Sequence, residues 1–294
     1  MITHRRYINN PENMFSGDYL LVQDFLLKLD NPAYSFGWWD HQCTRSSFMP
    51  EYFDRFGLWF EEDNLVAIAC TEQNLGIGIV CTYSDKKHLY DEMIEYAKVN
   101  FHDNGSLILL VPDLDKKYQE VASKAGFYPT QERETESLCA FESMDLDYKL
   151  PDGFVITDMT ECYNPVMYER IMRRGFSNDM VDKELTPDDI MSIDRQFKRP
   201  FVNLDLHVIA LAPDKSWAAF CGIYQTNESK SVFIEPVVTD PDFQKMGLAK
   251  AAVYEALSRC KKSGSTTAVV YSSQQFYFNI GFRPNSTSTW WELK

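Results

Sequence analysis

The chain has 294 residues, room for one large domain or two of roughly 150 each. Hydrophobic residues make up 45% of it, enough for a packed core, yet no apolar run approaches the ~20 residues a membrane-spanning helix needs. A formal net charge of −14 disfavours nucleic acid and anionic membranes, whose phosphates demand clustered Lys and Arg, and is compatible with a cationic substrate.

MITHRRYINN, residues 1–10, carries two arginines with no apolar segment behind them, which is not the pattern of a signal peptide. Seven cysteines, an odd number without close spacing, predict reduced thiols in a cytoplasmic protein rather than a disulfide framework or a zinc site. His41 and Cys43 lie close together, but no second ligand pair follows them.

Tyr34–Phe56 is dense in aromatic residues; core-and-loop packing is the simpler expectation, lining of a substrate cleft the alternative. Gly57–Cys70 then reads as a hairpin, Leu75–Ser84 as a strand and Lys87–Phe101 as a helix. Ser106–Pro112 is expected to be a buried strand, and Tyr118–Thr130 a helix that stops at Gly126-Phe127. Polar residues, Pro and Gly cluster over Asp147–Phe154, which sets the expected boundary between domains 1–149 and 150–294.

Beyond it, Gly153–Thr160 is an opening strand and Pro165–Phe176 has helical spacing. Thr186–Phe197 begins like a capped helix, with Thr186 as cap, Pro187 at the first helical position and acids in the first turn. His207–Tyr224 predicts two strands around Pro213-Asp214-Lys215, and a polar turn over residues 225–230 leads to the strand Ser231–Val238. In the next helix Ala249, Ala252, Val253, Ala256, Leu257 and Cys260 share one face, small enough to lie close to a sheet. Ser265–Ser273 is a buried strand, Gln274–Phe282 a short helix ending at Gly281, and Ser288–Lys294 a final strand. This is a mixed α+β order in which the unit around Gly247 can be a parallel crossover. Gly281-Phe282 repeats Gly126-Phe127 at a distance of 155 residues, about half the chain, so an internal duplication is expected.

Gly247 poses a chemical question. A helix N-terminus leaves about four backbone N–H groups unpaired and carries positive partial charge, yet Gln244-Lys245-Met246-Gly247-Leu248-Ala249 offers no Ser or Thr to cap them. Gly247 and the nearly as small Ala249 would let an anion approach the backbone, as in a pyrophosphate cradle flanked by Gln244 and Lys245; an ordinary strand-to-helix turn is the plainer alternative. The stretch Q-x-x-G-x-A, placed directly after the strand FIEPVV and opening a small-residue helix, resembles the acetyl-CoA motif of the GNAT acyltransferase superfamily. FYFNIGF (Phe276–Phe282) resembles the same family's tyrosine-bearing helix, with Tyr277 four residues before Gly281. The resemblance covers Gly153 to Lys294 and implies a mixed, mostly antiparallel sheet flanked by helices.

It also implies roles. The backbone of Val237 and Val238 would hold the pantetheine arm like an added strand, and the backbone of Gln244, Lys245, Met246, Gly247, Leu248 and Ala249 the pyrophosphate of acetyl-CoA. Tyr277 would protonate the departing thiolate; a phenol with pKa about 10 is neutral at pH 7 and able to donate. An attacking amine must first lose a proton, and Glu235, an ionisable group inside an apolar strand, is the candidate base unless it points outward to solvent. Ser272 and Ser273 end the following strand, where either a hydrogen bond to the cofactor or simple turn formation would explain them.

The first half departs from the pattern. CTYSDKKHLYDEM has no glycine where the cradle should be, Ser84 or Asp85 looks able to cap the helix itself, and Ala122 stands where Tyr277 has its counterpart. This half resembles a decayed GNAT-like unit in a tandem arrangement. The expected function is therefore acetyl-CoA-dependent transfer of an acetyl group, by direct attack, onto a primary amine of a small molecule or peptide, the acidic balance favouring a polycationic acceptor. The alternatives are an acyl-CoA-binding regulatory protein without catalysis and an aminoacyl transferase that uses charged tRNA, the latter disfavoured by the charge.

Overall fold

The computed structural model describes residues 1–29, 31, 34–45, 49–72, 74–176, 184–200, 202–226 and 230–294. Parts of the aromatic segment and of the polar turn at 225–230 lie outside them. The first half runs β1 (Ile2–Arg6), α1 (Asp18–Leu29), α2 (Phe36–Thr44), β2 (Gly57–Glu61), β3 (Asn64–Cys70), β4 (Ile77–Thr82), α3 (Tyr90–Asn100), β5 (Ile108–Pro112), α4 (Lys116–Lys124) and β6 (Phe127–Ala140). The second half repeats that order element for element: β7 (Val155–Asp158), α5 (Pro165–Gly175), α6 (Pro187–Phe197), β8 (Val208–Leu211), β9 (Trp217–Tyr224), β10 (Ser231–Thr239), α7 (Leu248–Lys262), β11 (Thr267–Tyr271), α8 (Gln275–Asn279) and β12 (Arg283–Leu293).

Local chemistry accounts for these elements. Thr186 closes a capping box with Asp189 at the start of α6, and Pro187 follows it. On α7 the stripe Ala252, Val253, Ala256, Leu257 and Cys260 is buried as its spacing predicts, against β8, β9 and β10. All seven cysteines are free. Among the described residues no helix is long and apolar enough to cross a membrane.

The strands form one mixed, mostly antiparallel sheet in the order β1-β2-β3-β4-β5-β12-β6-β11-β10-β9-β8-β7. The pairs β4·β5 and β10·β11 are parallel, each reached by a helical crossover, the second being the unit around Gly247. The last strand of each half lies away from its own half. β6 pairs with β11 and β12 pairs with β5, while β6 and β12 run antiparallel along one another at the centre. The halves are thus joined by exchanged strands, and a pocket at their junction takes side chains from both. Residues 127–140 form a strand that the sequence does not predict, and β12 begins at Arg283, five residues before the expected Ser288.

Helix α2 crosses from the first half onto β9 and β10 of the second. A Cβ on Gly37 would sit 2.4 Å from the Cβ of Phe233, so a residue without one is needed for this approach. Behind it, Asp40 on α2 accepts from Arg199, just after α6, at 2.7 Å and from the Tyr19 hydroxyl at 2.7 Å. Both members of the ion pair are buried, and the Arg199 guanidinium lies 4.7 Å from the ring centroid of Tyr224.

Candidate active site

β10 and β11 are in register only over Ser231–Phe233. A bulge between Ile234 and Val237 then bends β10 away, so beyond Phe233 its edge has no strand partner on that side. The wedge that opens is a cleft of about 810 Å³. Glu235, Val237, Val238, Gln244, Lys245, Gly247, Leu248, Ala249 and Tyr277, predicted from scattered motifs, all line it. Met246 and Ser273 do not: both are exposed beside the cleft, and Ser272 lines it instead. The Ser272 hydroxyl accepts the N–H of Gln274, so this serine also makes the turn into α8.

Gly247 is the N-cap of α7 with φ +82°, a left-handed conformation, and no side chain caps the helix. Lys245, at φ 63°, is left-handed as well. None of the backbone N–H groups of residues 244–250 donates to an acceptor among the described residues, although the carbonyl of Gly247 is already engaged by Ala251. A Cβ on Gly247 would meet no atom of the described residues within 4 Å. The reason for glycine is therefore its φ, and the space a side chain would enter is open. Unpaired amides in an alternating-hand loop at a helix N-terminus form a concavity for an anion. The residues present fit a diphosphate.

At the other end of the wedge, Tyr277 is 7% exposed and packs on Phe276 and Phe282. Its hydroxyl bonds to no protein atom among the described residues, and burial together with the charge of Glu235 raises its pKa, so it remains an O–H donor at neutral pH. Burial pushes Glu235 up to about 7, opposed by the Arg45 guanidinium and reinforced by Glu72. Glu72 is itself pushed up to about 7 by burial. Glu235 is partly buried and lines both this cleft and a second pocket, rather than standing on a solvated edge.

That second pocket, of about 290 Å³, shares Glu235 and Tyr271 with the cleft. Helix α2 roofs it with Trp38 and His41, and with Arg45 just past its end, while β6 and β12 of the exchanged pair supply Glu134, Glu136 and Trp290. The aromatic segment thus serves both expected uses. Trp39 and Cys43 are buried in the core, while Trp38 and Tyr34 face the pocket. The sequence reading missed Arg45, Glu72, Glu134 and Glu136. The period-two acids of QERETES were the available signal for the last two.

The matching place in the first half is built differently. A 3₁₀ turn over Ser84–Leu89 runs straight into α3, and the Tyr90 N–H bonds to the Lys87 carbonyl. Neither Ser84 nor Asp85 caps that helix, contrary to expectation, because the turn itself supplies the acceptor. Lys87 and Asp115 pair there at 2.8 Å, and Tyr90 donates to the same carboxylate.

Residues 171–282 match the family model described as "Acetyltransferase (GNAT) family". Solved structures extend the fold to the whole chain. A GCN5-related N-acetyltransferase from Sphaerobacter thermophilus is similar at TM-score 0.60 and 10% identity, covering 99% of this chain and 95% of that one. A tandem GNAT protein from the clavulanic acid biosynthesis pathway gives TM-score 0.62 at 11% identity, with 99% and 98% covered. A Drosophila protein gives 0.53 at 14%, with 95% and 97% covered. No curated protein matches the sequence significantly.

Proposed function

We propose that this chain, whose residues 171–282 match the GNAT family model and whose fold is similar to that of a tandem GNAT protein, is a cytoplasmic N-acetyltransferase that moves an acetyl group from acetyl-CoA onto a primary amine of a small molecule. The second half, 150–294, holds the catalytic groups; the first, 1–149, has lost the cradle and contributes walls. One observation carries this: the uncapped amides of Gln244, Lys245, Gly247, Leu248, Ala249 and Lys250 belong to residues lining the same cleft as Glu235 and Tyr277.

Acetyl-CoA would supply an activated thioester with a thiol leaving group. The amides around Gly247 and the free edge of β10 at Val237 and Val238 would hold the diphosphate and the pantetheine arm. Glu235 takes the proton that the amine must lose for its nitrogen to bond the acetyl carbon. Tyr277 gives its proton to the sulfur as the carbon–sulfur bond breaks. An ammonium acceptor sheds two protons in all, one on becoming the nucleophile and one on forming the amide, so one restores Tyr277 by way of Glu235 and the other leaves to solvent. A base near pKa 7 combines a large ionised fraction at neutral pH with useful basicity.

Thiol release from acetyl-CoA, followed over a panel of amines, tests the reaction. It is expected only when an amine is present; hydrolysis alone, or no release with any amine, rejects the proposal. The pH profile tests Glu235. Its folded-state value is raised, so it is protonated below about 7 and ionised above. Activity should therefore fall as pH drops through about 7, with an apparent value shared by Glu235 and Glu72. Glu235→Gln should flatten that acid limb and lower kcat on the order of a hundred- to ten-thousand-fold. An unchanged limb would assign the base elsewhere.

A further inference from the structure

The pocket between the halves carries more than this, resting on the proposed reaction at Glu235. We infer that it takes a compact dicationic amine, the reacting nitrogen at Glu235 and the second ammonium on Glu136 and Glu134 of the exchanged strand β6.

Four carboxylates line the pocket, Glu72, Glu134, Glu136 and Glu235, against one guanidinium, Arg45. His41 also lines it, but burial holds its pKa well below the ordinary value, so it adds no charge at neutral pH. Arg45 is already engaged electrostatically by Glu72 and Glu235. No cation of the pocket lining is left for Glu134 and Glu136; burial raises the pKa of Glu136 against side-chain hydrogen bonds from Asn285 and Ser286, and a neighbouring ammonium would favour its ionised form. Among the described residues Glu134 accepts only the Trp290 indole N–H, at 3.2 Å. Glu136 is 3% exposed; one of its oxygens accepts from Asn285 at 2.5 Å, and the other, Oε2, has no partner of hydrogen-bond geometry among the described residues.

A buried carboxylate oxygen without a donor is costly, and an ammonium with three N–H groups is the donor that removes the cost. Glu134 and Glu136, two residues apart on one strand, face the same side and can share it. Trp38, Phe233, Tyr271 and Trp290 supply the apolar wall a methylene linker needs and π-faces for the cation. A volume of about 290 Å³ suits a short aliphatic diamine better than an oligosaccharide or a peptide. A carboxylate-bearing amine would meet only the already engaged Arg45.

Calorimetric titration of 1,4-diaminobutane, 1-aminobutane and 4-aminobutanoate into the full chain, with and without CoA, tests this apart from turnover. The diamine is expected to bind about 10- to 100-fold more tightly than the monoamine, the worth of a charged hydrogen bond. Glu136→Gln, nearly isosteric, should remove most of that difference. Equal binding of the two amines, tighter binding of 4-aminobutanoate, or no binding of any of them would overturn the assignment from the unmodified protein alone. Diamine preference without acetyl transfer would sink the reaction and leave the pocket assignment. Acetyl transfer without diamine preference would do the reverse.

Discussion

Tyr277→Phe is expected to lower kcat on the order of a hundred- to ten-thousand-fold while leaving CoA affinity and thermal stability nearly unchanged. The substitution keeps the ring that packs on Phe276 and Phe282 and removes only a hydroxyl that bonds to no protein atom among the described residues. Stability should therefore barely move. Burial and the neighbouring charge of Glu235 keep the phenol protonated, so its function in the cleft is donation. Steady-state kinetics beside a thermal melt decide the matter. Full activity in a folded variant would remove Tyr277 from the chemistry.

Asp40→Ala is expected to destabilise the protein by about 3–5 kcal/mol, because it strands the buried Arg199 guanidinium. Both partners are at most 2% exposed, so solvent cannot compensate for the loss. The pair links α2 of the first half to the end of α6 in the second, directly behind the pocket roof. The variant should also lose the hydrogen bond of Tyr19, whose hydroxyl donates to the same carboxylate. Denaturant titration measures the loss; a change under about 1 kcal/mol, within the range of exposed pairs, would show that the junction is held by packing alone.

The cofactor end of the site was legible in the sequence because it is local. Gly247, the bare turn before it and the small-residue stripe of α7 lie within a short stretch, and each has a direct physical meaning. The strand carrying Glu235 and the helix carrying Tyr277 flank that stretch. The acceptor end was not legible, because α2, β4, β6, β10 and β12 meet there only after the final strands have been exchanged. Nothing in the alternation of residues 127–140 says which half will pair with that strand. Carboxylates at period two read as a solvated face, whereas here Glu136 is buried. Ser272 and Ser273 show the same limit at finer grain. Neighbours at a strand end were equivalent in sequence, and only the turn into α8 separates the one in the cleft from the one in solvent.

The central claim is that the unpaired amides of residues 244–250 exist to hold a diphosphate. Isothermal titration of coenzyme A against S-acetylpantetheine, which keeps the thioester arm and lacks the diphosphate, tests it directly. The account predicts that coenzyme A binds and that S-acetylpantetheine binds at least about tenfold more weakly, each charged hydrogen bond being worth about 1.5–3 kcal/mol. Equal affinity for the two, or no uptake of coenzyme A, would contradict it.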